Sequence, residues 1–277
     1  MKHMMDRLPK HRFFMDPKSY RLAHPVYKMK DADRVKVTHR PTKGLKDRLA
    51  YWSVQTCRKS VDFLTGYDAQ KFTERDWLNR VIFLETVAAV PGMIGGMQRH
   101  IRSLRTLERD NGWIHHLLQE AENERMHLFF FLSHRNPSIS FRLAIALAQG
   151  VFFNAYFFLY MISPSFCHRF VGYLEEEAVH TYTCLLKSLD DGNLPYWAQM
   201  RAPQEAIDYY QLGSNGSMRD MINAVRADEA CHREVNHFFA DRKSWEPVDH
   251  GQVAFSSEDN LLSFSKESPN PLPAHND

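Results

Sequence analysis

Apolar residues in this chain recur at three- and four-residue intervals through several long segments, the period of helices packed by one face. Residues 45–66 place Leu45, Leu49, Trp52, Val61 and Leu64 among Lys46, Arg48, Arg58 and Lys59. Residues 73–109 are apolar in their first half, with Pro91 predicted to kink them. Residues 112–135 align Trp113, Leu117, Ala121, Glu124, Leu128 and Phe131, and Asn136-Pro137 ends the pattern. Residues 140–163 are almost wholly apolar. Ser163-Pro164 then gives a capping and first-turn signal for 165–189, which stops before Gly192. A short helix is predicted near 203–210 and a last long one over 217–241. No alternating strand pattern competes, so the expected fold is an all-α bundle.

The flanks read differently. Residues 1–44 mix basic residues, aromatics and four prolines, and are expected to form an extended basic N-terminal arm. Residues 243–277, rich in proline and serine, are expected to be a disordered C-terminal tail, leaving 45–242 as the bundle domain. The chain of 277 residues is 44% hydrophobic, enough for one sizeable core. Cys57, Cys167, Cys184 and Cys231 form no C-x-x-C pair, which excludes a zinc ribbon and a disulfide framework.

The net charge of +2 conceals an asymmetry. Residues 1–60 hold 16 Lys and Arg against 5 Asp and Glu, whereas the rest holds 19 against 28. A basic arm on an acidic body fits nucleic acid, an anionic membrane surface or a targeting remnant.

The acidic body also carries the chemistry. Glu and His three apart on a helix lie about 60° and about 4.5 Å from each other, close enough to bind one metal ion. Random placement predicts about 0.8 Glu-x-x-His pairs for this composition; the chain has four, Glu124/His127, Glu177/His180, Glu229/His232 and Glu234/His237. Glu124/His127 and Glu229/His232 fall on stripes that should be buried, whereas Glu234/His237 is expected at the surface. Glu85 is isolated within VIFLETVAAVPGMIGG, where an unpaired carboxylate would be very unfavourable. Ala88, Ala89 and Gly92 beyond it would let another helix approach closely. A fourth helix offers Glu175, Glu176 and Glu177, and periodicity does not choose between Glu175 and Glu177. Carboxylates with two histidines suit iron or manganese rather than structural zinc. The bland alternative is two buried Glu–His hydrogen bonds with no metal.

At these residues the chain resembles the alternative oxidases, the cyanide-insensitive di-iron quinol oxidases of mitochondria. The resemblance rests on LETVAAVPGM (84–93), NERMHL (123–128), LEEEAVHTY (174–182) and RADEACHREVNH (226–237), in order, within a match over about 45–240. It implies a ferritin-like four-helix bundle with two iron ions per chain, held by Glu85, Glu124, His127, Glu175, Glu229 and His232. It implies Tyr182 as a catalytic tyrosine beside the metals. Asn123, His168, Tyr209 and Asp228 would support the ligands, and Arg80, Leu84, Leu174, Ala178 and Thr181 would line the quinol pocket. Many members have Tyr-Trp where this chain has Tyr209-Tyr210.

Residues 143–162 contain no charged side chain and are long enough, at about 30 Å, to span a bilayer. Short turns on either side would pull the acidic neighbouring helices into hydrocarbon, so a monotopic bundle with membrane-facing helices is expected instead. The amphipathic segment 45–66 would complete the lipid-facing patch, which turns the basic arm toward a membrane rather than nucleic acid. The resemblance adds the matrix side of the inner membrane, a homodimer, and oxidation of ubiquinol by O2 without proton pumping. An iron store, a metal-free membrane scaffold and a di-iron quinone hydroxylase are the rival readings.

Overall fold

The computed structural model describes residues 22, 24–69 and 71–243. Nine helices lie among them: α1 (Met29–Ala32), α2 (Leu45–Thr65), α3 (Glu74–Thr106), α4 (Trp113–Leu132), α5 (Ile139–Ile162), α6 (Pro164–Asp190), α7 (Pro195–Ala198), α8 (Gln204–Tyr210) and α9 (Met218–Asp241). No strand occurs among the described residues; one isolated bridge joins Arg201 to Ser217. The all-α expectation holds. Four of the six long helices, α3, α5, α6 and α9, start on a side-chain cap, whereas α2 and α4 follow glycines. Thr73 with Asp76 and Ser217 with Asp220 form capping boxes at α3 and α9, and Ser163 caps α6 with Pro164 in its first turn.

Two helix pairs form the centre, α3 against α4 and α6 against α9. Each pair closes over a glycine. A Cβ at Gly92 would sit 2.6 Å from the Leu117 carbonyl oxygen of α4, and one at Gly172 would sit 2.4 Å from His237 Nδ1 of α9. The close approach expected at Gly92 is therefore present, and α3 continues through Pro91.

Outside this centre, α5 packs on α3, and α2 packs on α6. Of α5 only Tyr156 and Tyr160 are fully buried, while Ile139, Leu143, Leu147, Val151 and Ile162 are exposed. Leu45, Leu49, Trp52, Phe63 and Leu64 of α2 are exposed as well. By length and composition α3 and α5 could each cross a membrane, but half of the apolar window of α3 is buried, against 11% of that of α5.

The expected arm is only partly described. From residue 24 it lies against the bundle: α1 packs along α9, Ala32 is fully buried, and Arg226 donates to the Ala32 carbonyl at 3.0 Å. Residues 1–21 of the arm, and the expected tail from 244 onward, lie outside the described residues. One expectation is corrected. His237 is buried, not at the surface, because its Nε2 meets Glu176 Oε1 at 2.9 Å across the α6–α9 interface.

Candidate metal centre

Each of the four central helices contributes one element of a buried cluster. Glu85 comes from α3, Glu124 and His127 from α4, Glu175 from α6, and Glu229 and His232 from α9. All six are buried. They fall into two overlapping sets, Glu85–Glu124–His127–Glu229 and Glu124–Glu175–Glu229–His232, in each of which one ligand atom per residue lies within 4.8 Å of all the others. Glu124 and Glu229 belong to both. His127 Nδ1 lies 3.5 Å from Glu85, 3.7 Å from Glu124 and 3.4 Å from Glu229, and His232 Nδ1 lies 2.7 Å from Glu124 and 3.4 Å from Glu229.

These approaches do not satisfy the groups. Glu85 Oε2, both oxygens of Glu124, Glu229 Oε2, and the Nδ1 atoms of His127 and His232 are buried without a hydrogen-bond partner. Orphaned acceptors converging in one pocket cost several kcal/mol unless a cation satisfies them. The donor set fits two divalent ions, whose +4 would balance four carboxylates. The electrostatics of the buried carboxyls carry the same conflict. Burial, followed by the charge of Glu124, pushes Glu85 well above the ordinary carboxylate range, and burial with Glu229 and Glu124 does the same to Glu175. Glu124 is pushed up by burial too, but His127 and His232 outweigh it and hold this carboxyl below its usual value.

A second layer holds the ligands. His127 Nε2 meets Asp228 Oδ2 at 3.0 Å. That oxygen also accepts from Asn123 Nδ2 at 2.9 Å and from the Tyr210 hydroxyl at 2.6 Å, and Asn123 donates as well to the Tyr209 hydroxyl at 3.0 Å. Asn123, Tyr209 and Asp228 therefore assemble around His127, joined by Tyr210, which occupies the position where the resemblance leads one to expect Trp. His168 lies elsewhere. Its Nε2 accepts from Tyr160 at 3.0 Å, and its Nδ1 faces Asn236 Oδ1 at 3.1 Å. Asn236 in turn donates to Glu120 Oε2 at 2.8 Å and to the His232 carbonyl at 3.0 Å. Burial pushes His168 down to about 4 and Glu120 up to about 7. Glu120 escaped the sequence reading, although it sits one turn before Glu124 on the same stripe.

Tyr182 donates to Glu85 Oε1. Beside it a cavity of about 430 Å³ is lined by Arg80, Leu84, Leu174, Ala178, Thr181 and Tyr182, and it reaches Glu85, Glu175 and Glu229. All five expected pocket residues meet there. Position separates Glu175 from Glu177. Glu175 faces the cluster, whereas Glu177 pairs with Arg58 and accepts from Gln55 Nε2 at 2.5 Å. Arg80, also buried, donates to Asp62 Oδ1 at 2.6 Å and lies 3.9 Å over the Tyr67 ring. Arg58 and Asp62 carried no periodic signal that marked them as partners of this cavity.

Comparison with known proteins places this arrangement. The alternative oxidase family profile matches residues 27–241. "Alternative oxidase, mitochondrial" of Emericella nidulans is 52% identical over 232 residues, covering 80% of this chain and 66% of that protein. The protein of the same name from Aspergillus niger is 51% identical over 225 residues, with coverage of 77% and 64%. That of Trypanosoma brucei brucei is 49% identical over 217 residues, with coverage of 78% and 66%. The chain thus spans slightly less than two thirds of the length of these curated relatives.

Proposed function

The chain belongs to the alternative oxidase family, and on that premise we propose that it is a ubiquinol oxidase that reduces O2 to water at a di-iron carboxylate centre without pumping protons. What supports this reading most directly is the cavity, which brings an apolar chamber to Tyr182 and three carboxylates of the cluster. One iron would be held by Glu85, Glu124, His127 and Glu229, the second by Glu124, Glu175, Glu229 and His232. Two iron ions bound there supply the one-electron redox steps and the affinity for O2.

The chain's own side chains do the rest. Leu84, Leu174 and Ala178 accept the quinol ring and exclude water. Arg80, held in place by Asp62 and Tyr67, and the Thr181 hydroxyl present donors to a quinol oxygen. Tyr182 stands between this chamber and the carboxylates, where its phenol can supply an electron or a proton, with Glu85 Oε1 as the acceptor of the proton. Two quinols deliver four electrons and four protons, which one O2 consumes in forming two waters. No proton has to cross a membrane.

The exposed apolar row of α5, with the apolar side of α2, would rest on one leaflet, the matrix side of the mitochondrial inner membrane. A span through the bilayer is disfavoured because α4 and α6 flank α5 and carry Glu120, Glu122, Glu124 and Glu175 to Glu177. Two chains would associate as a homodimer, and no nucleic-acid role is needed.

Oxygen uptake by membranes carrying the chain, driven by ubiquinol with and without cyanide, tests the reading. Cyanide-resistant uptake and about two iron per chain are expected. Iron without quinol-driven uptake would point to a store, and a hydroxylated quinone product to a hydroxylase. A metal-free chain would leave only the scaffold.

A further inference from the structure

Asp228 precedes the candidate ligand Glu229 and is almost fully buried. Its Oδ2 is occupied by groups of the bundle, His127, Asn123 and Tyr210. Its Oδ1 accepts the hydroxyl of Tyr27 at 2.5 Å. Tyr27 does not belong to the four central helices. It sits just before α1, on a strap that runs along α9: the His24 ring stacks on Tyr209 at 3.6 Å, Asn223 donates to Asp33, and Arg233 donates to the Lys36 carbonyl.

We infer that Tyr27 is a positioning residue of the metal centre, acting through Asp228 to fix the ring of His127. The inference rests on the di-iron reading above. A carboxylate held at one oxygen can still swing about its terminal torsion, which is broad and two-fold. A hydrogen bond to the second oxygen stops the swing and sets the carboxylate plane. That plane directs the Nε2–H of His127 and leaves its Nδ1 lone pair facing Glu85, Glu124 and Glu229. Packing alone would be served by phenylalanine, since Tyr27 lies in the apolar core and a buried hydroxyl is costly without a partner. The short contact of this hydroxyl is to Asp228, with Cys231 Sγ farther off at 3.5 Å. The strap thereby ties folding of the N-terminal segment to the geometry of the centre.

Tyr27→Phe, made in the full chain, removes the hydroxyl and keeps the ring. Iron retained by the purified protein against graded chelator should fall about 10-fold or more, the range seen when partners behind metal-bound histidines are removed. The iron absorption spectrum should change, with helix content unchanged. A double-mutant cycle separates positioning from packing. In an Asp228→Ala background, which removes both acceptor oxygens, Tyr27→Phe should leave iron retention where Asp228→Ala alone puts it, whatever it does to the unfolding midpoint. Equal iron retention by the parent and Tyr27→Phe would overturn the inference, as would an undiminished effect in the Asp228→Ala background. A parent chain that retains no iron would overturn the di-iron reading and this inference with it.

Discussion

The hydroxyl of Tyr182 donates to Glu85, on the carboxyl group whose other oxygen faces His127 Nδ1 at 3.5 Å. One phenol thus links the apolar cavity to the cluster, and burial together with the charge of Glu85 pushes this phenol well above its ordinary value. It is held as a neutral donor, which in the proposed reaction would lose a proton only as an electron leaves.

Tyr182→Phe should therefore keep iron and fold while lowering quinol oxidation by about 100-fold or more, the scale of a lost proton-transfer group. Oxygen uptake per bound iron measures it. An unchanged rate would remove Tyr182 from the catalytic path.

Glu124 belongs to both ligand sets. Glu124→Ala should reduce iron from about two per chain to less than one and abolish cyanide-resistant uptake. Metal analysis beside activity checks both, and retained activity would show the site to be misassigned.

Gly92→Ala forces a methyl group against the Leu117 carbonyl of α4. The expected cost is about 1–3 kcal/mol of overpacking, read as a lower unfolding midpoint. Because backbone stands opposite, the strain cannot be relieved by turning a side chain.

Glu120, pushed up to about 7 by burial, gives a pH signature in the chelated protein. A carboxyl group whose folded value is raised costs nothing below its unfolded value near 4.5, and costs progressively more as pH rises toward 7. Glu120→Gln retains an acceptor for Asn236 and cannot ionise. It should match the parent at pH 4.5 and exceed it at pH 8 by up to about 3 kcal/mol. Denaturant unfolding at the two pH values decides; equal stability at pH 8 would contradict the assignment.

The exposed row Leu143, Leu147 and Val151 on α5 is the proposed lipid contact. Leu143→Glu with Leu147→Glu moves two apolar side chains off the leaflet at about 1.5–3 kcal/mol each. Binding to liposomes should drop by at least about 10-fold, with helicity intact, as flotation would record.

Local pattern along the chain marked the long helices and most of the cluster. Periodicity and capping are local, so Ser163-Pro164 announced a helix start that the fold retains, and the segments expected from 73 and 217 begin at caps on Thr73 and Ser217. Glu85 was conspicuous because a carboxylate in an apolar run needs a partner, and the two Glu-x-x-His pairs were conspicuous through their stripes. Four-residue helices such as α1 and α7 are too short to show a period. Packing, rather than pattern, separates Glu175 from Glu177, which stand about 200° apart on α6: the side facing α9 is inward, and no residue of α6 alone states that. Packing likewise buried His237 against Glu176 and brought Tyr27 to Asp228 across 201 positions of sequence. Such contacts depend on where separate elements meet, which a one-dimensional pattern of polarity does not encode.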